Sequence, residues 1–300
     1  MTPAASVVVV TYHPGAELAA FLDSLAAGTT AAYEVVVADN GGGTGDEVVA
    51  AGRRPEVRVV ASGENLGYGR AANAGVAATG ADLVVVANQD ITWAPGALDT
   101  LVDAARRRRD AVAFGPRIQT PAGVVYPSAR ELPRLRTGAG HALFGWWWPA
   151  NPWTRRYRRE RDALDERGAG WLSGSCLMVR RETFDAVGGF DPRYFMYFED
   201  VDLGERLGRH GVNLYVPDAV VTHVGGTATA RDPRRMARAH HDSAWLYLQG
   251  AYPGPWRRPL RAVLHLGLYA RSVLAERSRS VAAGARLSSS EPGTTTEENP

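Results

Sequence analysis

The run "RYFMYFEDVDL", Arg193 to Leu203, places three carboxylates directly after four aromatics and a methionine. Acids are seldom kept in so apolar a setting unless they are paired, hydrogen-bonded or close to a cation. If a helix runs from Glu199 to Glu205, Glu199 and Asp202 share one face, and Asp200 points about 100° away. One carboxylate can then face a reacting group while the other two anchor the helix. A partly apolar wall raises such a group from its ordinary pKa of about 4 toward the range where a general base works well.

Other residues carry chemistry by position. Asp90 closes "NQD" (Asn88–Asp90) after a buried apolar run. There it suits a divalent cation bearing a diphosphate, or simply caps a turn. His223 ends another apolar run before Gly225–Gly226 and reads as a ligand or a structural histidine. Asp39–Asn40 accepts from a ribose hydroxyl or a base N–H, or forms an Asx turn into the glycines that follow. "GENLGYGRAANAG" has the glycines of a loop-to-helix junction, which let backbone approach phosphate or let a helix pack closely. It is neither GxGxxG nor a Walker loop. "GSC" at Gly174–Cys176 is not GxSxG, so covalent serine or cysteine chemistry is set aside.

The elements that must hold these residues alternate. Ala5–Thr11, Glu34–Asp39, Val57–Ala61 and Asp82–Asn88 read as strands. Helical spacing joins Leu18, Phe21, Leu22 and Leu25, and a helix is predicted from about Pro95 to Arg109 with Pro95 near its first turn. This βαβαβαβ order predicts an α/β fold with an open, mostly parallel sheet, and ligands then bind beyond the carboxyl ends of the strands. Thr11, Asp39 and Asn88–Asp90 all fall there. The second half reads as strands and turns to Arg130, a strand and short helix in "GWLSGSCLMVRRETFDAVGGF", a helix over Asp200–His210 and one or two strands ending near His223. A helical signal then runs from Arg234 to Arg279, and the tail "SSSEPGTTTEENP" is low in complexity. The expected divisions are 1–110, the first α/β half of one domain; 111–230, the second half of the same domain; 231–285, a helical extension; and 286–300, a disordered tail.

Composition bounds the function. At 300 residues, 45% hydrophobic and 22% charged, the chain is globular. A net charge of +2 gives no whole-molecule pull toward nucleic acid, and none is expected as a partner. All 34 basic residues are arginine, which suits diphosphates and anionic lipid, although a G- and C-rich genome also favours arginine codons. The single Cys176 excludes an internal disulfide framework. With no signal-peptide pattern and no apolar stretch near the length of a span, the chain is read as cytoplasmic, peripheral on the inner face of the plasma membrane. The basic amphipathic stretch "WRRPLRAVLHLGLYARSVLAERSR" is the candidate membrane contact, or a packed helix with a solvated basic face.

Taken in order, "VVVVTYHPGAELAAFLDSL", "VVVADN", "ENLGYGRAANAG", "VVVANQD" and "GGFDPRYFMYFEDVDLGERLGRHG" resemble family-2 glycosyltransferases of the A fold, over about residues 5–225. "VYPSAR", "GHALFG", "NPWTRRYRRE", "GWLSGSCLMVRR" and "AHHDSAWLYL" extend the resemblance to the actinobacterial rhamnosyltransferases of cell-wall linker synthesis. The resemblance implies dTDP-L-rhamnose as donor, a polyprenyl-diphosphate-linked GlcNAc acceptor and Mg2+ or Mn2+ as cofactor. It implies Asp200 as catalytic base, and Thr11, Asp39, Asn65, Asn73 and Asn88 around the nucleotide sugar. It implies Asp90 and His223 at the metal. Asn88 departs from the family's acidic pattern and leaves one motif carboxylate, so metal would be held chiefly by the donor diphosphate. Composition and the resemblance together point Arg155, Arg156, Arg158 and Arg159, beside Trp146–Trp148 and Trp153, at the acceptor headgroup. Another donor or acceptor within the family, and a non-catalytic relative, are the competing readings. A nucleotidyltransferase would need a basic glycine-rich first loop, which "TYHPGAELA" is not.

Overall fold

The valine-rich runs form one side of a single large sheet. A computed structural model describes residues 3–133, 164–225, 233–263 and 266. Strands β1 (Ala5–Thr11), β2 (Tyr33–Asp39), β3 (Val57–Ala61) and β4 (Leu83–Asn88) lie parallel in the order β3-β2-β1-β4. Between them run helices α1 (Ala16–Gly28), α2 (Asp46–Ala51) and α3 (Tyr68–Ala77). The register pairs Thr11 with Asp39 and Val10 with Asn88, so the polar strand ends line up at one sheet edge. The order reverses between β1 and β4, which opens a crevice there.

Beyond β4 the sheet departs from a purely parallel plan. Short β5 (Ile91–Trp93) is followed by α4 (Ala97–Arg107) and β6 (Ala111–Gln119). Helix α4 starts later than its proline predicts: Pro95 precedes Gly96, which caps the helix at φ 76°, a left-handed angle that favours glycine. Small strands β7 (Val125–Tyr126), β8 (Ala129–Arg130), β9 (Arg167–Ala169) and β10 (Trp171–Leu172) precede β11 (Cys176–Arg180) and α5 (Arg181–Ala186). Strand β11 enters antiparallel between β4 and β6. Helix α6 (Glu199–Leu207) then leads to β12 (Val212–His223), which pairs parallel with β6 and antiparallel with β5.

Side chains divide by strand parity, as a pleated sheet requires. Val7, Val9, Val35 and Val37 pack with Phe21, Leu25, Leu98 and Leu101 on the α1/α4 face. Val8, Val10, Val36 and Val86 pack with Ala72, Val76, Phe184, Phe190 and Leu203 on the α3/α6 face. Two consecutive arginines fix the helices to this frame. Arg180 donates to the carbonyls of Ala105 and Arg108 at the end of α4 and of Ala111 at the start of β6, and Arg181 to those of Val76 at the end of α3 and Ala81 just ahead of β4. Helix C-termini carry unpaired carbonyls and partial negative charge, so both arginines serve as caps.

The chain forms two compact units, divided between Pro233 and Arg234. The second begins with α7 (Pro233–Ala251). The single helical signal expected from Arg234 to Arg279 is interrupted: Tyr252–Gly254 breaks it, a 3-10 turn spans Pro255–Arg257, and residues 258–263 resume the helix. The Trp146–Trp148, Trp153 and Arg155, Arg156, Arg158, Arg159 cluster lies outside the described residues, as does the tail.

Candidate active site

The carboxyl ends of β1 and β2 meet through side chains. Thr11 Oγ1 donates to Asp39 Oδ1 at 2.9 Å, and the Gly43 N–H donates to Asp39 Oδ2. Asp39 is only 2% exposed, so in this state its carboxylate shapes the loop after β2. Asn40 continues the join: its Nδ2 donates to Asn65 Oδ1 at 2.9 Å, and its Oδ1 accepts from the Leu66 N–H at 2.7 Å. Asn65 Oδ1 also takes the Gly67 N–H at 3.0 Å, which leaves its Nδ2 for a ligand.

Asn73 has a different position from the one expected beside the nucleotide sugar. Its Nδ2 donates to the Phe190 carbonyl at 2.8 Å and its Oδ1 accepts the Phe190 N–H at 2.9 Å. Both ends of the amide bind the backbone of the loop that leads into Asp200. The glycine-rich motif serves the same joint. A Cβ on Gly67 would run into the backbone of Phe195, and one on Gly69 would come within 2.9 Å of Phe190 Cβ. Close packing, rather than phosphate contact, is what these glycines do here. The Tyr68 N–H at the start of α3 donates to the Phe195 carbonyl at 3.0 Å.

Where β4 and β12 end, three polar side chains converge. Asp90 Oδ1 lies 3.1 Å from His223 Nε2, and Asn88 Nδ2 lies 3.3 Å from the same nitrogen. The Gly225 N–H holds Asp90 Oδ2 at 3.0 Å. Burial by itself would raise the Asp90 carboxyl; the His223 hydrogen bond and charge and the Gly225 N–H outweigh it and hold it below the usual range. A ring nitrogen facing both a carboxylate and an amide N–H satisfies one of them at a time, as donor to Asp90 or as acceptor from Asn88. With its lone pair outward, Nε2 and the Asp90 oxygen are two acceptors side by side, a donor set that fits a divalent cation. Among the described residues no group of three His, Cys, Asp or Glu side chains surrounds a common point. The remaining ligands would therefore come from water or a diphosphate, as Mg2+ and similar ions accept. Gln89 takes no part in this set. Its Oε1 accepts the Tyr12 N–H at 2.7 Å and its Nε2 donates to Glu17 at 2.8 Å, pinning the end of β1 to α1.

The three acids of α6 separate as helical geometry predicts. The helix begins at Glu199 after two consecutive left-handed residues, Tyr197 at φ 69° and Phe198 at φ 64°. Such angles cost a non-glycine residue about 1–3 kcal/mol each, and they persist where the surroundings enforce them. Asp202 is the anchor: Arg206 Nε binds it at 2.7 Å, while Arg206 Nη1 donates to the carbonyls of Val187 and Gly189. Glu199 is buried, and its Oε2 has no hydrogen-bond partner among the described residues. Burial, then the charge of Asp200, pushes its carboxyl up to about 8. Asp200 is partly exposed, with Oδ2 accepting the Gly174 N–H at 2.9 Å and Oδ1 the Val201 N–H at 2.9 Å. Burial raises its carboxyl, against those N–H bonds and the positive charge of Arg130. Tyr68 buttresses the arrangement by donating its hydroxyl to the Gly174 carbonyl. Cys176 is buried and its thiol is raised by burial, which agrees with setting thiol chemistry aside.

Gly174, Tyr68 and Gln89 carry the site without having been singled out for it in the sequence. A main-chain amide has no sequence signature, and the partners of Tyr68 and Gln89 lie 106 and 72 positions away.

Comparison with known proteins gives the family and the fold. The family described as "Glycosyl transferase family 2" matches residues 6–188. An N-acetylglucosaminyl-diphospho-decaprenol L-rhamnosyltransferase of Mycobacterium tuberculosis is 49% identical over 290 residues, covering 93% of this chain and 94% of that one. Rhamnosyltransferase WbbL of Escherichia coli is 40% identical over 79 residues, 26% of this chain and 30% of its own. Among solved structures, the mannosyltransferase PcManGT of Pyrobaculum calidifontis, in complex with GDP-Man and Mn2+, has a TM-score of 0.55 at 18% identity, covering 97% of this chain and 82% of that one. GalNAc-T7 with UDP, GalNAc and Mn2+ has a TM-score of 0.55 at 16% identity, covering 74% and 44%. With the matched region spanning well over half of the chain and a near full-length relative at 49% identity, this protein belongs to glycosyltransferase family 2, on a glycosyltransferase A-type α/β fold.

Proposed function

We propose that this enzyme transfers L-rhamnose from dTDP-L-rhamnose, with inversion, to polyprenyl-diphosphate-linked N-acetylglucosamine in cell-wall linker synthesis. The observation that carries the reading is the 49% identity, over nearly the whole of both chains, to a rhamnosyltransferase named for that acceptor.

The site supplies the chemistry such a transfer needs. The nucleotide sits on the strand ends at Thr11 and Asp39; the Thr11 hydroxyl donates to Asp39, and the oxygens of both keep lone pairs for it. The Asn65 amide reaches the donor, and Asn73 supports it from behind by holding the Phe190 backbone. Asn88, Asp90 and His223 face the donor diphosphate, with Asp90 and His223 as the protein ligands of Mg2+ or Mn2+. A divalent cation bound there would neutralise charge on the leaving diphosphate. Asp200 takes the proton from the acceptor hydroxyl as that oxygen attacks the anomeric carbon from the face opposite the diphosphate. One displacement inverts the centre, releases dTDP and needs no covalent sugar–enzyme intermediate. The raised pKa of Asp200 makes it a stronger base than an exposed aspartate.

The lipid acceptor places the enzyme on the inner face of the plasma membrane. The second unit offers a surface for this. Trp256, Val263 and Leu266 are 67–72% exposed, and Arg257 lies over the Trp256 ring with Arg258 next in the sequence. Among the described residues no helix is long and apolar enough to cross a membrane.

The test is dTDP release from dTDP-L-rhamnose when a lipid-linked GlcNAc diphosphate is added. Acceptor-dependent release by the wild type is expected. Asp200→Asn should keep donor affinity and lose a factor of about 10²–10⁴ in turnover. Near-normal turnover in the variant would remove Asp200 as base, and absence of release by the wild type would overturn the assignment.

A further inference from the structure

The motif "VYPSAR" (Val125–Arg130) belongs to the resemblance but has no role in the chemistry above. Its last residue is held with unusual care. The Arg130 guanidinium lies 5.2 Å from the centre of the Tyr126 ring and 5.4 Å from that of Trp171. Its Nε donates to the Pro127 carbonyl at 2.7 Å, which fixes the plane of the group. Ser128 stiffens the same turn, with its Oγ donating to the Pro116 carbonyl at 3.0 Å. Strand β8 pairs with β10, so Arg130 and Trp171 are register partners, two residues before the Ser173–Gly174 segment whose amide holds Asp200.

Among the described residues, Arg130 forms no ion pair, and its two terminal nitrogens have no hydrogen-bond partner. Other arginines of this unit, such as Arg54, Arg108, Arg193 and Arg206, are matched with carboxylates. A part-buried guanidinium, stacked on two rings and fixed at Nε, directs its remaining donors in a fork that fits a phosphate. Its register partner Trp171 lies just ahead of the segment whose Gly174 amide holds Asp200, and the positive charge of Arg130 is felt at that carboxylate. With the donor diphosphate proposed to lie at Asp90 and His223, at the ends of β4 and β12, Arg130 is left for a second anion.

We propose that Arg130, framed by Tyr126 and Trp171, binds the diphosphate of the lipid-linked acceptor and so presents the acceptor sugar to Asp200. The inference rests on the acceptor class proposed above and adds the residue that recognises its charge. Arg130 is a binding residue, not the base, so its loss should weaken acceptor capture more than the chemical step.

The experiment compares wild type and Arg130→Gln on two acceptors, GlcNAc on a short prenyl diphosphate and GlcNAc on an uncharged alkyl chain. The expected result is a rise of about 10- to 100-fold in KM for the diphosphate acceptor, with KM for the donor and for the uncharged acceptor unchanged. Arg130→Lys, which keeps charge but not the planar fork, should recover only part of the loss. Equal losses on both acceptors would show a structural role and overturn the proposal, as would an unchanged KM for the diphosphate acceptor. If wild type transfers to neither acceptor, the function assigned above fails. The Arg130 site is then judged by calorimetric titration of inorganic diphosphate into protein saturated with dTDP. Binding by wild type that Arg130→Gln lacks supports the site, and equal binding by both rejects it.

Discussion

Glu199 is buried beside the partly exposed Asp200, with one carboxylate oxygen unpartnered among the described residues. Its folded-state pKa of about 8 lies above the ordinary carboxyl value of 4.5. Between those values the folded chain holds a proton that the unfolded chain has lost. The contribution of this group to stability is therefore fully present below the lower value and is lost as pH rises toward the upper one. Glu199→Gln should remove that slope, so that denaturation midpoints of wild type fall relative to the variant as pH is raised across the window. Parallel curves would contradict the burial of an acid there. The three acids were legible as a group in "FEDVDL", and helical spacing already separated Asp200 from its neighbours. That Glu199 is the uncomfortable partner and Asp202 the anchored one was not legible. It depends on Arg206 bridging to the carbonyls of Val187 and Gly189 and on a main-chain amide at Gly174.

Between elements, the main joint of the site links α3 to the loop ahead of α6. Asn73 clasps Phe190, Tyr68 N–H meets the Phe195 carbonyl, and Gly67 at φ 86° leaves no room for a side chain against Phe195. Gly67→Ala adds both a disfavoured angle and an overlap, and should cost about 1–3 kcal/mol in urea denaturation with a drop in kcat as Asp200 shifts. Retained stability and kcat would show that the two motifs are not mechanically joined. The second joint is where β4 and β12 end. His223→Ala should raise the Mn2+ concentration for half-maximal activity by at least about 10-fold, and an unchanged requirement would exclude it as a ligand. The four parallel strands and their helices were readable because valine runs and helical spacing are local signals. The antiparallel entry of β11 and the pairing of β5 with β12 were not, since each depends on partners far along the chain. The glycine motif admitted two readings, phosphate approach or close packing, and only the position of the Phe190–Phe195 loop decides between them.

At the scale of the whole molecule, an α/β sheet with polar strand ends, a partly buried acid held by main-chain amides and a basic C-terminal unit fits an enzyme that joins a soluble donor to a lipid-borne acceptor. Full-length protein should sediment with vesicles containing anionic lipid and less with neutral ones. Replacing Trp256, Leu260 and Val263 with serine should reduce that binding while leaving transfer to a short-chain acceptor intact; binding unchanged by the triple substitution would locate the membrane contact elsewhere. The class of enzyme was legible in the order of five motifs along the chain. The sugar was not legible from physics, because the hydrogen bonds that discriminate one hexose from another form only with substrate in place. Donor competition on the purified protein tests the assignment most directly, with dTDP-L-rhamnose set against UDP-sugars on lipid-linked GlcNAc, with and without Mg2+ or Mn2+. Rhamnose should be transferred in preference to the sugar of every UDP donor, and removing the metal should lower the rate. Preferential transfer from a UDP-sugar, or no transfer from any donor, would contradict the assignment.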